Sequence, residues 1–220
     1  MKHADILYIH GMGGGGDSRI PAILKEHLDE AAPEGMSLRL TVRTYDFDPE
    51  KGAAQIAAWA NELAPSLVIG ESLGSIQAIR LRGVPHILVS PSLGAPDIFC
   101  RYAPLAKLPS VTALLDRIYK PREGDRQPLH FTFRTLRKYG AHAEAAFANS
   151  PREGSKDYFF AFFGSRDHYR RSGVVSVGKW RRYFGDNTFA IYDGTHFMEE
   201  EYVLSMLVPK IREILVNLQD

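Results

Sequence analysis

A serine held between glycines, Gly70-Glu71-Ser72-Leu73-Gly74, is the strongest candidate nucleophile in this 220-residue chain. A serine hydroxyl attacks poorly until a general base takes its proton, and the base needs a third group to orient it. Two later segments supply those types: Phe163-Gly164-Ser165-Arg166-Asp167 offers a carboxylate, and Asp193-Gly194-Thr195-His196-Phe197 offers an imidazole. The chain order is therefore Ser72, Asp167, His196. A G-x-S-x-G between a strand and a helix is a sharp turn whose serine tolerates no bulk two residues before or after it, and Gly70 and Gly74 meet that need. A helix beginning behind Ser72 would add amide groups and a positive dipole end favouring negative charge on an attacked carbonyl oxygen. The plainer alternative is a turn in which Ser72 only caps that helix.

Each partner has a competitor. Asp193 lies close enough to His196 to serve as the acid, but an orienting carboxylate reaches the base from a neighbouring strand end rather than along the same loop, which favours Asp167. His168 competes as base, yet it follows Asp167 directly and their side chains diverge. His10 reads as a hydrogen-bonded structural histidine, and Cys100 as a small, at least partly buried hydrophobe.

His10-Gly11-Met12-Gly13-Gly14, after the first strand-like run, lets backbone pass close to the nucleophile and present an amide. The donors to a developing oxyanion would be the amides of Leu73 and of Met12, or alternatively Gly13. A rival reading uses the same run: Gly11, Gly13 and Gly16 fit G-x-G-x-x-G, with Asp46 as a ribose-binding acid. Against it, Asp17 and Asp46 make the loop acidic, Asp46 lies farther on than the usual ~20 residues, and the serine, aspartate and histidine motifs stay unexplained. A P-loop is weaker still, because Asp17 stands where its lysine would be.

These residues need strands to carry them. Short apolar runs at Ile6 to Ile9, Leu38 to Tyr45, Leu67 to Ile69, His86 to Val89, Tyr158 to Phe163 and Thr188 to Tyr192 read as six strands. Helical patterns at Arg19 to Glu30, Ala53 to Leu63, Ser75 to Arg82 and Val203 to Leu218 alternate with them, which is the pattern of an α/β protein with a buried, mostly parallel sheet. Between residues 92 and 157 the alternation stops. Leu105 to Tyr119, Phe131 to Tyr139 and Ala141 to Asn149 read as helices there, a helical insertion within one domain spanning 1–220.

Length and 45% hydrophobic content suit one core. The net charge of +1 excludes a uniformly basic polyanion-binding protein, but it hides an uneven distribution: −3 over residues 1–91, +9 over 92–182 and −5 over 183–220. One cysteine excludes an intramolecular disulfide framework and fits a reducing compartment. The N-terminal residues lack a signal-peptide pattern, and no apolar run reaches the roughly 18 residues of a membrane span. The expectation is a soluble, cytoplasmic chain without nucleic-acid or membrane partners.

In Gly70 to Gly74, His10 to Gly14, Asp167 and Gly194-Thr195-His196, and in the order serine, acid, histidine, the sequence resembles the α/β-hydrolase superfamily, specifically its small single-domain serine esterases. The resemblance runs over nearly the whole chain. It implies Ser72 as nucleophile, His196 as general base and acid, Asp167 as orienting acid, and supporting roles for His10, Gly11, Gly70 and Gly74. It implies cofactor-free, metal-free hydrolysis of an acyl ester or thioester through an acyl-enzyme. The family's leading antiparallel strands are missing, so about six largely parallel strands are expected, with residues 92–157 as a cap. A hydrolase scaffold that has lost activity and serves as a binding protein is the alternative. The basic residues Arg101, Lys107, Arg117, Lys120, Arg122, Arg126, Arg134, Arg137 and Lys138, with Arg166, Arg170, Arg171, Lys179, Arg181 and Arg182, would flank the mouth. They read as a solvated face, or as steering for an anionic substrate.

Overall fold

The structure is a computed structural model that describes residues 2–119, 123–151 and 158–218. Among these, six strands form one sheet: β1 (Lys2–Ile9), β2 (Met36–Val42), β3 (Leu67–Glu71), β4 (His86–Val89), β5 (Phe159–Gly164) and β6 (Phe189–Tyr192). The order is β2-β1-β3-β4-β5-β6 and every pairing is parallel. Alternation along the strands sends side chains into two apolar layers. Leu7, Ile9, Val68, Leu88 and Phe163 enter one, and Ile6, Tyr8, Ile69, Ile87 and Phe162 the other.

The first layer is closed by α3 (Pro49–Leu63), α4 (Gly74–Ala78), α5 (Ala95–Tyr102), α7 (Phe133–Phe147) and α8 (Val177–Phe184), through Ile56, Ile76, Ala95, Tyr139 and Trp180. The second is closed by α1 (Arg19–Glu26), α2 (Leu28–Ala31) and α10 (Val208–Asn217), through Ile20, Leu24, Ala31 and Ile211. Caps set several of these starts. Asp48 accepts from the amides of Glu50 and Lys51 ahead of Pro49, Thr132 accepts from the amide of Thr135, and Ser176 accepts from that of Lys179.

The boundaries depart from sequence expectation where a local rule intervenes. The helix expected over Leu105 to Tyr119 is a 3₁₀ segment, Ala103–Lys107, followed by α6 (Pro109–Ile118). Leu108, which precedes a proline, is forced into extended conformation, and Pro109 starts the new helix. The two helices expected over Phe131 to Asn149 are one, α7. It runs unbroken through Gly140, where a side chain would press on Cys100 Sγ of α5, so the glycine admits a close helix contact. The strand expected to reach Tyr45 ends at Val42, and Tyr45 turns inward. The expected closing helix begins with α9 (Glu200–Tyr202), passes through a π-helical turn at Val203–Leu207 and only then becomes α10. Pro209, lacking an N–H, cannot complete a regular turn there.

Within the interval 92–157, α7 belongs to the sheet-covering layer, whereas α6 buries none of its residues. Among the described residues no helix is long and apolar enough to cross a membrane.

Candidate functional site

The carboxyl ends of β1, β3, β4, β5 and β6 carry, in that spatial order, His10, Ser72, Ser92, Asp167 and His196. Parallel strands bring loops that are far apart in sequence to one edge, and a ligand crevice forms there in open α/β sheets.

Ser72 sits between β3 and α4 with φ of 51°, the left-handed region that residues with a side chain seldom adopt. Its surroundings hold it there: its amide donates to the carbonyl of Val89, and its own carbonyl accepts from the amide of Ser92. A side chain at Gly70 would meet Ala78 Cβ and Leu88, and one at Gly74 would overlap the carbonyls of Ile9 and His10. Both glycines therefore let α4 turn back onto β1 and β3. Because α4 is only five residues long, a summed dipole contributes little, and individual amides matter more.

His196 Nε2 lies 2.9 Å from Ser72 Oγ, and His196 Nδ1 donates to Asp167 Oδ2 at 2.7 Å. Asp167 is buried, and its other oxygen accepts from the amide of Tyr169 at 2.8 Å. Asp193 is exposed instead, accepting from Ser165 Oγ and paired with Arg166. His168 is also exposed, its ring centre 6.5 Å from that of His196. The His196 loop is fixed from below. Glu199 accepts from the amide and hydroxyl of Thr195, Tyr192 donates to the Thr195 carbonyl, and Gly164 leaves room for the loop to cross β5. Tyr169 and the exposed Phe197 stand edge-on to the imidazole at 4.7 and 5.2 Å.

Gly11 brings the first loop against Ser72, where a Cβ would lie 3.1 Å from that of the serine. The amide of Gly13 is committed to Gln127 Oε1. Among the described residues, no protein acceptor engages the amides of Met12 or Leu73. His10 is fully buried, donates through Nδ1 to the Gly11 carbonyl at 2.8 Å, and stacks on Tyr45, which donates to the His10 carbonyl. Burial pulls its pKa down to about 4, so it stays neutral and braces the loop. Glu71, inside the G-x-S-x-G, accepts from Tyr8 at 2.7 Å, and burial pushes its carboxyl up.

The rest of the glycine run is covered by the segment Gly124–Gln127. The amide of Gly16 donates to Asp125 Oδ2, the amide of Gln127 donates to the Gly14 carbonyl, and Asp17 pairs with Arg126. A Cβ at Gly15 would overlap the Asp125 carbonyl. The glycines thus make room for a strap of protein, and a carboxylate occupies the amide that a dinucleotide phosphate would need. Gly15→Ala is expected to destabilise the chain by about 2 kcal/mol, the range for forcing bulk into a packed site. Thermal unfolding checks it, with a fall in Tm of about 5 °C expected.

Several basic residues expected at the mouth are paired locally: Lys138 with Asp48 and Glu50, Lys179 with Asp97, Arg181 with Asp186. Lys120 and Arg122 lie outside the described residues. Among the described residues no group of three or more His, Cys, Asp or Glu side chains is arranged to hold a metal ion.

Glu71, Ser92, Gln127, Tyr169 and Phe197 were not singled out by sequence. Only Glu71 and Phe197 had a signal, their places inside the serine motif and beside His196.

No protein-family model matches the chain, and no curated protein does. Solved structures match over nearly its whole length. The Butyrivibrio proteoclasticus protein Est1E, bound to ferulic acid, is 15% identical with a TM-score of 0.66, covering 98% of this chain and 89% of its own. An esterase of Pyrococcus furiosus is 13% identical with a TM-score of 0.58, covering 97% and 81%. A structure from the pair LipS and LipT, metagenome-derived lipolytic enzymes, is 14% identical with a TM-score of 0.56, covering 96% and 94%.

Proposed function

We propose, from the α/β-hydrolase fold that this chain shares with those structures, that it is a serine hydrolase cleaving a carboxylic ester or thioester through an acyl-enzyme. The observation that carries this reading is the position of His196, bonded on one side to the strained Ser72 and on the other to the buried Asp167.

With Nδ1–H donated to Asp167, Nε2 presents its lone pair and takes the Ser72 proton as Oγ attacks the acyl carbon. The carbonyl oxygen gains charge and is met by the uncommitted amides of Met12 and Leu73. His196 then returns the proton to the departing alcohol or thiol, leaving the acyl group on Ser72. Water repeats the sequence with His196 again as base, releasing the acid and restoring the hydroxyl. Neither a metal nor an organic cofactor enters these steps.

Tyr169 and Phe197 beside His196 support a substrate with an apolar or aryl portion near the scissile bond. The structural neighbour Est1E is bound to ferulic acid. We take the substrate to be a small-molecule acyl compound, and the local pairing of Lys138, Lys179 and Arg181 with carboxylates lends no support to steering of an anionic one by these three.

A fluorophosphonate probe tests the reading. Wild type is expected to label covalently at one site and Ser72→Ala not to label. A folded wild type that does not label, or a Ser72→Ala chain that labels equally, refutes the hydrolase reading and leaves a binding protein on a hydrolase scaffold.

A further inference from the structure

Behind the nucleophile lies a second serine. Ser92 follows β4 and is 2% exposed, with its Oγ 3.0 Å from Ser72 Oγ. Its place is fixed by backbone. Its amide donates to the Ser72 carbonyl, its carbonyl accepts from the amide of Ala95, and the Ser72 amide is tied to Val89 three residues earlier on the same turn. Among the described residues, Ser72 is the one hydrogen-bond partner of the Ser92 hydroxyl.

Proton counting orients this bond. When the His196 ring is neutral, Nδ1 carries its hydrogen toward Asp167, so Nε2 can only accept. Ser72 has one hydroxyl proton and directs it to Nε2. The contact between the two serines must then be donated by Ser92. The result is a directed chain, Ser92 to Ser72 to His196 to Asp167, in which each bond polarises the next.

Resting on the serine-hydrolase reading, we infer that Ser92 is a further catalytic residue, a hydrogen-bond donor to the nucleophilic oxygen. As the Ser72 proton passes to His196, charge builds on Oγ and the bond from Ser92 becomes charge-assisted, hence stronger than in the resting enzyme. An interaction that strengthens along the reaction lowers the barrier, whereas one of constant strength would not. Once Oγ is part of the acyl ester, its lone pair is a weaker acceptor and the bond relaxes. When water displaces the acyl group, Oγ again collects charge as it departs and Ser92 again donates. Ser92 keeps its proton throughout and forms no covalent bond, so the stoichiometry is unchanged.

The test compares fluorophosphonate labelling rates, and kcat and KM on a p-nitrophenyl ester, for wild type, Ser92→Ala and Ser92→Thr. A hydrogen bond to a charged group is worth about 1.5–3 kcal/mol, which is roughly a ten- to hundredfold change in rate. Ser92→Ala is expected to lose about that factor in labelling rate and in kcat, with KM little changed. Ser92→Thr, which restores a hydroxyl, is expected to recover most of it. Should Ser92→Ala fail to fold, Ser92→Cys keeps the size but donates weakly, and slow labelling is again expected. A folded Ser92→Ala or Ser92→Cys that labels at the wild-type rate overturns the role alone. A wild type that does not label removes the hydrolase reading and this role together.

Discussion

His196→Ala is expected to lower kcat/KM by about five orders of magnitude while leaving the fold intact, the scale seen when one member of a serine–histidine–carboxylate set is removed. The size follows from how the group is used. Among the described residues, Ser72 Oγ has no other base within hydrogen-bond reach: its second neighbour, Ser92, is a hydroxyl and cannot hold the proton. His168 is exposed, its ring centre 6.5 Å from that of His196, and among the described residues no hydrogen bond joins it to Ser72, so it does not substitute. The partners act as a unit, so Ser72→Ala and the double variant Ser72→Ala/His196→Ala should fall to the same residual rate rather than to a product of losses. Steady-state hydrolysis of a p-nitrophenyl ester checks this. A His196→Ala enzyme within tenfold of wild type, or a double variant far below both singles, is incompatible with the proposed mechanism.

What was legible in the sequence divides by the range over which the constraint acts. The serine motif was legible because its demands are local: the residues two before and two after Ser72 face Ala78 on one side and the β1 carbonyls on the other, and only glycine fits. The parallel sheet was legible because a strand buried on both faces must be apolar at every position, as in Leu67-Val68-Ile69. The single helix over Phe133–Phe147 was not legible as one, because the contact that makes room for it at Gly140 is with Cys100, forty residues away. The glycine run after His10 was ambiguous for the same reason. Its covering strap, Asp125 to Gln127, lies more than a hundred residues later, and no local pattern links the two. Ser92 was invisible because its meeting with Ser72 depends on β3 and β4 being neighbours in register, Glu71 opposite Val89.

The two aspartates illustrate a choice that sequence narrows and geometry sharpens, and they give the second large expected effect. Asp167→Asn is expected to reduce kcat/KM by about four orders of magnitude, with Asp193→Asn within about twofold of wild type. The second oxygen of Asp167 decides the outcome. Oδ1 accepts from the Tyr169 amide and Oδ2 from His196 Nδ1. In the asparagine variant a single oxygen remains, and the backbone amide of Tyr169, which can only donate, holds it. The side-chain NH2 then faces Nδ1 and must donate to it, so the imidazole hydrogen moves to Nε2. A ring carrying its hydrogen at Nε2 cannot accept the Ser72 proton, and it points a donor at Oγ instead. The damage is thus a reversed tautomer in an otherwise undisturbed site. Asp193, exposed and occupied with Arg166 and Ser165, has no such hold on the ring. Parallel assays of the two asparagine variants with matched melting temperatures decide it: a crippled Asp193→Asn beside an active Asp167→Asn would transfer the acid role to Asp193.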